Sequence, residues 1–174
     1  SETSINRSVL DYNFQGYLEY GITDRLNLIT TLPYKYVSTG SEMDSLTPLP
    51  LLEKGSLSGL GNSKIALKYG LSDKSVKIAI SVQASLKTIN KDLNKGLITG
   101  YDANSVGLYG HVGKSFSPKL YSFIEGGVNA VSNDFSNFIE IHYELGYQIK
   151  PSLWTSFTLD LRESLKGGTY NQST

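Results

Sequence analysis

A period-two alternation of apolar and polar residues runs through eight stretches of this chain, though ambiguous in face near 120–131, joined in pairs by short polar tips, and it leaves few folds open. Leu10, Tyr12, Phe14, Gly16, Leu18 and Tyr20 alternate with Asp11, Asn13, Gln15, Tyr17 and Glu19. A two-residue period places successive side chains on opposite faces of a strand, so each stretch predicts a strand with one apolar and one polar face. The first tip, Gly21-Ile22-Thr23-Asp24-Arg25, returns the chain into Leu26, Leu28, Thr30, Leu32, Tyr34 and Tyr36 on one face. Related tips recur at Gly70-Leu71-Ser72-Asp73-Lys74, Lys114-Ser115-Phe116-Ser117-Pro118-Lys119 and Gln148-Ile149-Lys150-Pro151-Ser152. Four hairpins follow, with strands near 10–20, 26–37, 62–71, 76–87, 105–115, 120–131, 139–149 and 155–162. Two long links, Ser38–Gly61 and Ile89–Asn104, are expected to be loops, on their Gly, Ser, Pro and Asp content.

The chain has 174 residues with 12 Tyr, 6 Phe and 17 Gly, which favours an all-β protein of one domain over 1–174. Its 16 basic and 16 acidic residues balance, so there is no broad basic field for nucleic acid. Cysteine is absent, which removes disulfides, zinc–thiolate sites and thiol catalysis. No apolar run approaches the roughly 20 residues of a membrane helix, but a spanning strand needs only every second residue apolar.

Alternation alone does not say which face is covered. In a soluble sandwich or small-ligand barrel the apolar face is inside; in a membrane barrel it faces lipid. Three features favour the membrane. The strands run to about ten residues, close to the 9–11 of a tilted spanning strand and beyond the usual five or six. Short tips alternate with longer links. Tyr20, Tyr34, Tyr36, Tyr69, Tyr143 and Tyr147 sit on the apolar face near strand ends, where an interfacial girdle belongs. The expected fold is an antiparallel up-and-down transmembrane β-barrel. Short tips on the periplasmic side would put both termini outside, so the eight strands are expected to close unusually or to belong to a barrel of ten or more.

The strings Glu-Tyr-Gly-Ile-Thr-Asp-Arg-Leu at 19–26, Leu32-Pro33-Tyr34 and Gly59-Leu60-Gly61-Asn62-Ser63-Lys64-Ile65-Ala66-Leu67-Lys68-Tyr69 resemble outer-membrane transporter-like barrels of the phenol meta-pathway degradation family. The likeness is close over about the first half. Asn62 stands where that family commonly has Asp, and the second half matches only in general barrel pattern. The resemblance implies a Gram-negative outer membrane and passage of small molecules, hydrophobic ones included. It implies no catalytic residue.

The polar faces sort by charge. Lys35, Lys64, Lys68, Lys77 and Lys87 fall on the second to fourth strands; Glu125, Glu140, Glu144 and Asp160 fall on the sixth to eighth, with Asp11 and Glu19 on the first and Arg162 as the exception. With His142 these are the expected lumen-lining charges. They would form either a transverse field across a watery pore or ion pairs filling a narrow lumen. His142 near Ser156 and Asp160 has the residue types of a hydrolase triad, but polar faces generate such neighbours by chance, and His111 reads as an isolated polar-face residue. No enzyme activity, metal site or cofactor is expected.

The expected partners are outer-membrane lipid and a small solute of unknown identity, with a protein contact through the 38–61 loop, where Leu46, Leu49, Leu51, Leu52 and Leu57 lie among prolines. The expected function is a passive, porin-like channel or transporter. The alternatives are a structural or partner-binding outer-membrane protein with a plugged lumen, and a soluble ligand-binding barrel or sandwich. If the apolar faces meet lipid, the protein partitions into detergent and migrates differently on gels before and after boiling. A monodisperse, detergent-free monomer would contradict the membrane reading.

Overall fold

The computed structural model describes residues 8–40, 42–43, 50–52, 54–133 and 135–165. Eight long strands are present: β1 Val9–Gly21, β2 Leu26–Thr39, β3 Ser63–Asp73, β4 Val76–Leu86, β5 Ser105–Ser117, β6 Leu120–Val131, β7 Phe138–Lys150 and β8 Leu153–Ser164. They pair in sequence order, the up-and-down antiparallel arrangement that the alternation predicts. At 11 to 14 residues each, they are long enough to cross a bilayer at a tilt.

A short polar side chain or an amide ties every tip. Thr23 Oγ1 accepts from the Leu26 amide at 3.0 Å, Ser72 Oγ donates to the Val76 carbonyl at 3.1 Å, Ser117 Oγ accepts from the Lys119 amide at 3.2 Å, and Gln148 Nε2 donates to the Pro151 carbonyl at 3.1 Å. The recurrence of polar residues at the tips thus has a local cause: each satisfies a backbone group that the reversal would leave open.

Exposure is inverted relative to a water-soluble protein. Ile65, Leu67, Tyr69 and Leu71 of β3, Ile78, Ile80 and Val82 of β4, and Val106, Leu108 and Val112 of β5 are all exposed, whereas the buried positions include Ser81, His111 and Asn129. Of the girdle tyrosines, Tyr20, Tyr34, Tyr36, Tyr69 and Tyr147 are exposed and Tyr143 is half-buried.

Contacts divide the chain into two compact units, 1–17 with 31–63 and 86–102, and 18–30 with 64–85 and 103–174. The first corrects the two expected loops. Ser38 and Thr39 complete β2, and Gly55–Leu60 is a short strand that pairs antiparallel with it, Tyr34 opposite Leu60 through to Thr39 opposite Gly55. Further pairings join Glu42–Met43 to Pro50–Leu52 and Lys91–Asp92 to Leu97–Ile98, the latter two bridged by a 3-10 turn at Leu93–Lys95. Leu46 and Leu49 lie outside the described residues.

The two connections are knitted together. Thr99, fully buried, donates to the Leu60 carbonyl at 2.6 Å and accepts from the Asn90 amide at 2.9 Å. Asn62 makes a reciprocal pair with the Tyr101 backbone, at 2.9 and 2.6 Å, and Ser63 Oγ lies 2.8 Å from Thr88 Oγ1. Gly55 and Gly59 present bare backbone where a Cβ would run into Lys95 and Asn90. The six-residue strand Gly-Ser-Leu-Ser-Gly-Leu has little intrinsic β propensity; these partners hold it extended. At the turn, Lys95 Nζ hydrogen-bonds Asp92 Oδ2 at 2.8 Å, which holds that carboxyl below the usual carboxylate range.

Ile80 is 44 % exposed at the middle of β4, on the apolar face. Ile80→Arg is expected to cost about 2–4 kcal/mol in urea unfolding from lipid vesicles, the depth-dependent cost of a lipid-facing charge. Equal stability would place that face in water. The alternation by itself suggests that Ser81→Arg next to it is benign; the structure revises this, because Ser81 is 7 % exposed and hydrogen-bonded, so this substitution is costly too, through burial rather than lipid.

Candidate functional site: a polar network across five strands

The register of β4 to β8 brings chemically distinct residues into rows. One row runs Ala79, His111, Glu125, His142, Asp160; the next runs Ser81, Tyr109, Gly127, Glu140, Arg162; a third runs Lys77, Gly113, Phe123, Glu144, Thr158. Directly opposed side chains on one face approach within contact distance, so each row is a line of interacting neighbours.

Four carboxylates on β6 to β8, Glu125, Glu140, Glu144 and Asp160, each meet a hydroxyl or an imidazole. Tyr109 donates to Glu140, and its hydroxyl lies 2.8 Å from Asn129 Oδ1; Tyr121 donates to Glu144. His142 Nδ1 lies 2.6 Å from Asp160 Oδ1, and its Nε2 lies 3.9 Å from Glu144. His111 Nδ1 lies 2.9 Å from Glu125 Oε2, with the N–H not aimed straight along that line. Phe123 stands between the two imidazoles, its centroid 6.2 Å from each.

Two tyrosines reach their carboxylates by crossing glycines. The Tyr109 ring lies over Gly127, the residue between it and Glu140 in the row, where any Cβ would collide with the ring; Tyr121 crosses Gly146 in the same way. Glycine at these two places is a requirement of the neighbouring strand's side chain rather than of its own backbone.

The expected lumen charges separate into three groups. Lys35 pairs with Asp11 at 2.9 Å. Lys87 lies just past the end of β4 and pairs with Asp102, as does Lys91, so it belongs to the knitted connections and not to a strand face. Lys64, Lys68 and Lys77 are on the polar face of β3 and β4 and form no salt bridge among the described residues. Arg162 lies over the Phe138 ring, 3.6 Å from its centroid. A shallow cleft of about 360 Å³ is lined by Glu125, Glu140, His142, Asp160 and Arg162 with Ile141 and Leu161.

The arrangement that the sequence suggests around His142 is only half assembled. Asp160 is in contact, but Ser156 pairs with Gly146, beside Tyr121, away from His142. His111 is not isolated: Ser81 Oγ lies 2.8 Å from its Nε2. Alternation already places Ser81, Tyr109 and His111 on polar faces. Their convergence depends on cross-strand register, which no single strand carries. Among the described residues no group of three His, Asp or Glu side chains is arranged to hold a metal ion.

No family model matches this chain and no curated protein matches it, so the likeness to the phenol meta-pathway group gains no support beyond the residues that carry it. Among solved structures, the crystal structure of an outer membrane channel from Pseudomonas putida F1 superposes with a TM-score of 0.57 at 19 % identity, over 91 % of this chain and 62 % of that one. The chain thus has the antiparallel β fold of an outer-membrane channel and spans less than two thirds of that protein's length.

Gly127→Val is expected to push Tyr109 off Glu140 and to cost about 1–3 kcal/mol through overpacking, whereas Gly126→Ala, whose nearest neighbour is 3.8 Å away, costs much less. Chemical unfolding of the two variants in lipid vesicles distinguishes them; equal losses would show that the ring does not cross Gly127.

Proposed function

We propose that this chain forms the wall of a passive outer-membrane channel for small molecules, with its polar face toward the water-filled path. The observation that carries this reading is the inversion of exposure on the central strands: they present Leu, Ile, Val and Tyr outward while Ser81, His111 and Asn129 are buried and Glu125, Glu140 and Glu144 are half-buried. Such faces suit a solvent of lipid outside and water inside. The channel similarity over 91 % of the chain supports it, as does the absence, among the described residues, of salt bridges from Lys64, Lys68 and Lys77. Had the basic and acidic sectors filled a narrow lumen with ion pairs, those three lysines would meet the acids of β6 to β8. Instead Tyr and His contact those acids, Lys68 reaches Glu125 only through its field, and the lysines are available to set the potential of an aqueous path. A channel of this kind is non-enzymatic and resides in the outer membrane of a Gram-negative bacterium.

Planar-bilayer recording of the folded, inserted protein tests this. Single-channel steps are expected, and the triple variant Lys64→Glu, Lys68→Glu, Lys77→Glu should remain folded while its reversal potential in a salt gradient shifts toward cation preference. Insertion proven by protease protection, with no conductance, would reject the channel. A triple variant that fails to fold would indicate instead that the lysines face the acidic sector directly.

A further inference from the structure

A water-filled path requires charge and hydroxyls on its wall, but it does not require a hydroxyl and a carboxylate on opposite nitrogens of one imidazole. Ser81 Oγ lies 2.8 Å from His111 Nε2, and Glu125 Oε2 lies 2.9 Å from Nδ1 of the same ring. Facing a carboxylate, Nδ1 keeps the proton; Nε2 then carries the lone pair and accepts the Ser81 hydroxyl. Ser81 and His111 are each only 7 % exposed, so the pair is held out of bulk water, where the hydrogen bond is stronger. Nucleophile, base and orienting acid thus come from β4, β5 and β6, the division of roles that activates a serine. The imperfect aim of Nδ1–H is common before a substrate binds.

We propose that Ser81 is a modification site: a nucleophilic serine that takes the acyl group of small activated carboxylic esters, with His111 as its base and Glu125 as a positioning residue. The Ser81 Oγ–carbon bond forms at the ester carbonyl and the carbon–oxygen bond to the leaving group breaks. The Oγ proton passes to His111 Nε2 and departs on the leaving oxygen, so ester and serine become acyl-serine and alcohol. Aryl esters fit best. Their phenolate leaves readily, which matters because the backbone amides of β4 and β5 are engaged in ladder pairing rather than free to hold an oxyanion. The Phe123 ring beside His111 offers an aryl group an apolar surface. The event is a single acylation rather than rapid turnover, and it does not depend on whether the channel conducts.

The full chain, folded in detergent micelles, is treated with 4-nitrophenyl acetate and followed by intact mass and peptide mapping. Acetylation is expected at Ser81 well ahead of Ser85, which lies on the same face of the same strand and is more exposed. His111→Gln should slow it about 100-fold, and Glu125→Gln should slow labelling of Ser81 while leaving that of Ser85 unchanged, with heat-modifiable migration intact. Ser81 labelling no faster than Ser85 in the unaltered protein overturns the proposal, which needs no variant to fold. So does a Ser81 rate unchanged in either variant. Conductance measured on the same preparation tells the failure of one reading from the failure of the other.

Discussion

The structure depends on one constraint: backbone polar groups must be paired between neighbouring strands, as a solvent of lipid on the apolar face would demand, and the ladders from β1 to β8 do this, while the outer edges of β1 and β8 pair with no strand among the described residues. Sheet pairing in sequence order meets that constraint with the shortest connections, and it explains why the strands are long and why each tip carries a side chain that closes its own hydrogen bonds. With the backbone paired along the inner strands, side chains are free to sort by solvent, and on those strands they sort opposite to a soluble protein. Exposed Ile80 and Val82 on β4 flank buried Ser81, a pattern that would be destabilising in water and is favourable in lipid.

The sheltered face then has a difficulty of its own, because polar groups removed from water must be paired. The protein resolves this across strands, using Tyr109 and Tyr121 as long neutral donors to Glu140 and Glu144 and His111 as a partner for Glu125. Neutral donors satisfy the carboxylate lone pairs without cancelling their charge. That is a different outcome from lysine pairing, which would neutralise the wall; the same wall is therefore both well packed in hydrogen bonds and still charged. Gly127 and Gly146 are the steric condition for it, since a Cβ at either would stand where the tyrosine ring crosses.

The two long connections obey a third rule. Rich in Gly, Ser and Asn, they hold together through side-chain amides and hydroxyls on backbone groups: Asn62 with Tyr101, Asn90 with Ser58, Thr99 with Leu60. Such residues compete with regular structure when isolated and build it when another segment supplies the complementary group. Gly55–Leu60 became a strand in this way, although its composition alone marks it as loop.

What the sequence determined by itself is whatever repeats within a strand and its adjoining tip. Period two, strand length and the four polar tips gave the eight strands, their antiparallel order and the assignment of faces, because these follow from local backbone geometry and from which residues a bilayer tolerates. Tertiary structure alone decided the pairing between faces. Alternation places His111, Ser81 and Glu125 on polar faces, but only the register of β4, β5 and β6 brings them together, and only the register of β7 and β8 moves Ser156 away from His142. Lys87 is a smaller case of the same kind: period two extends β4 to include it, but its attachment to Asp102, across the second connection, takes it off the strand. A two-residue period fixes the side on which a residue lies and nothing about its neighbour on the next strand, because a shift of register by two leaves every face unchanged and every partner different.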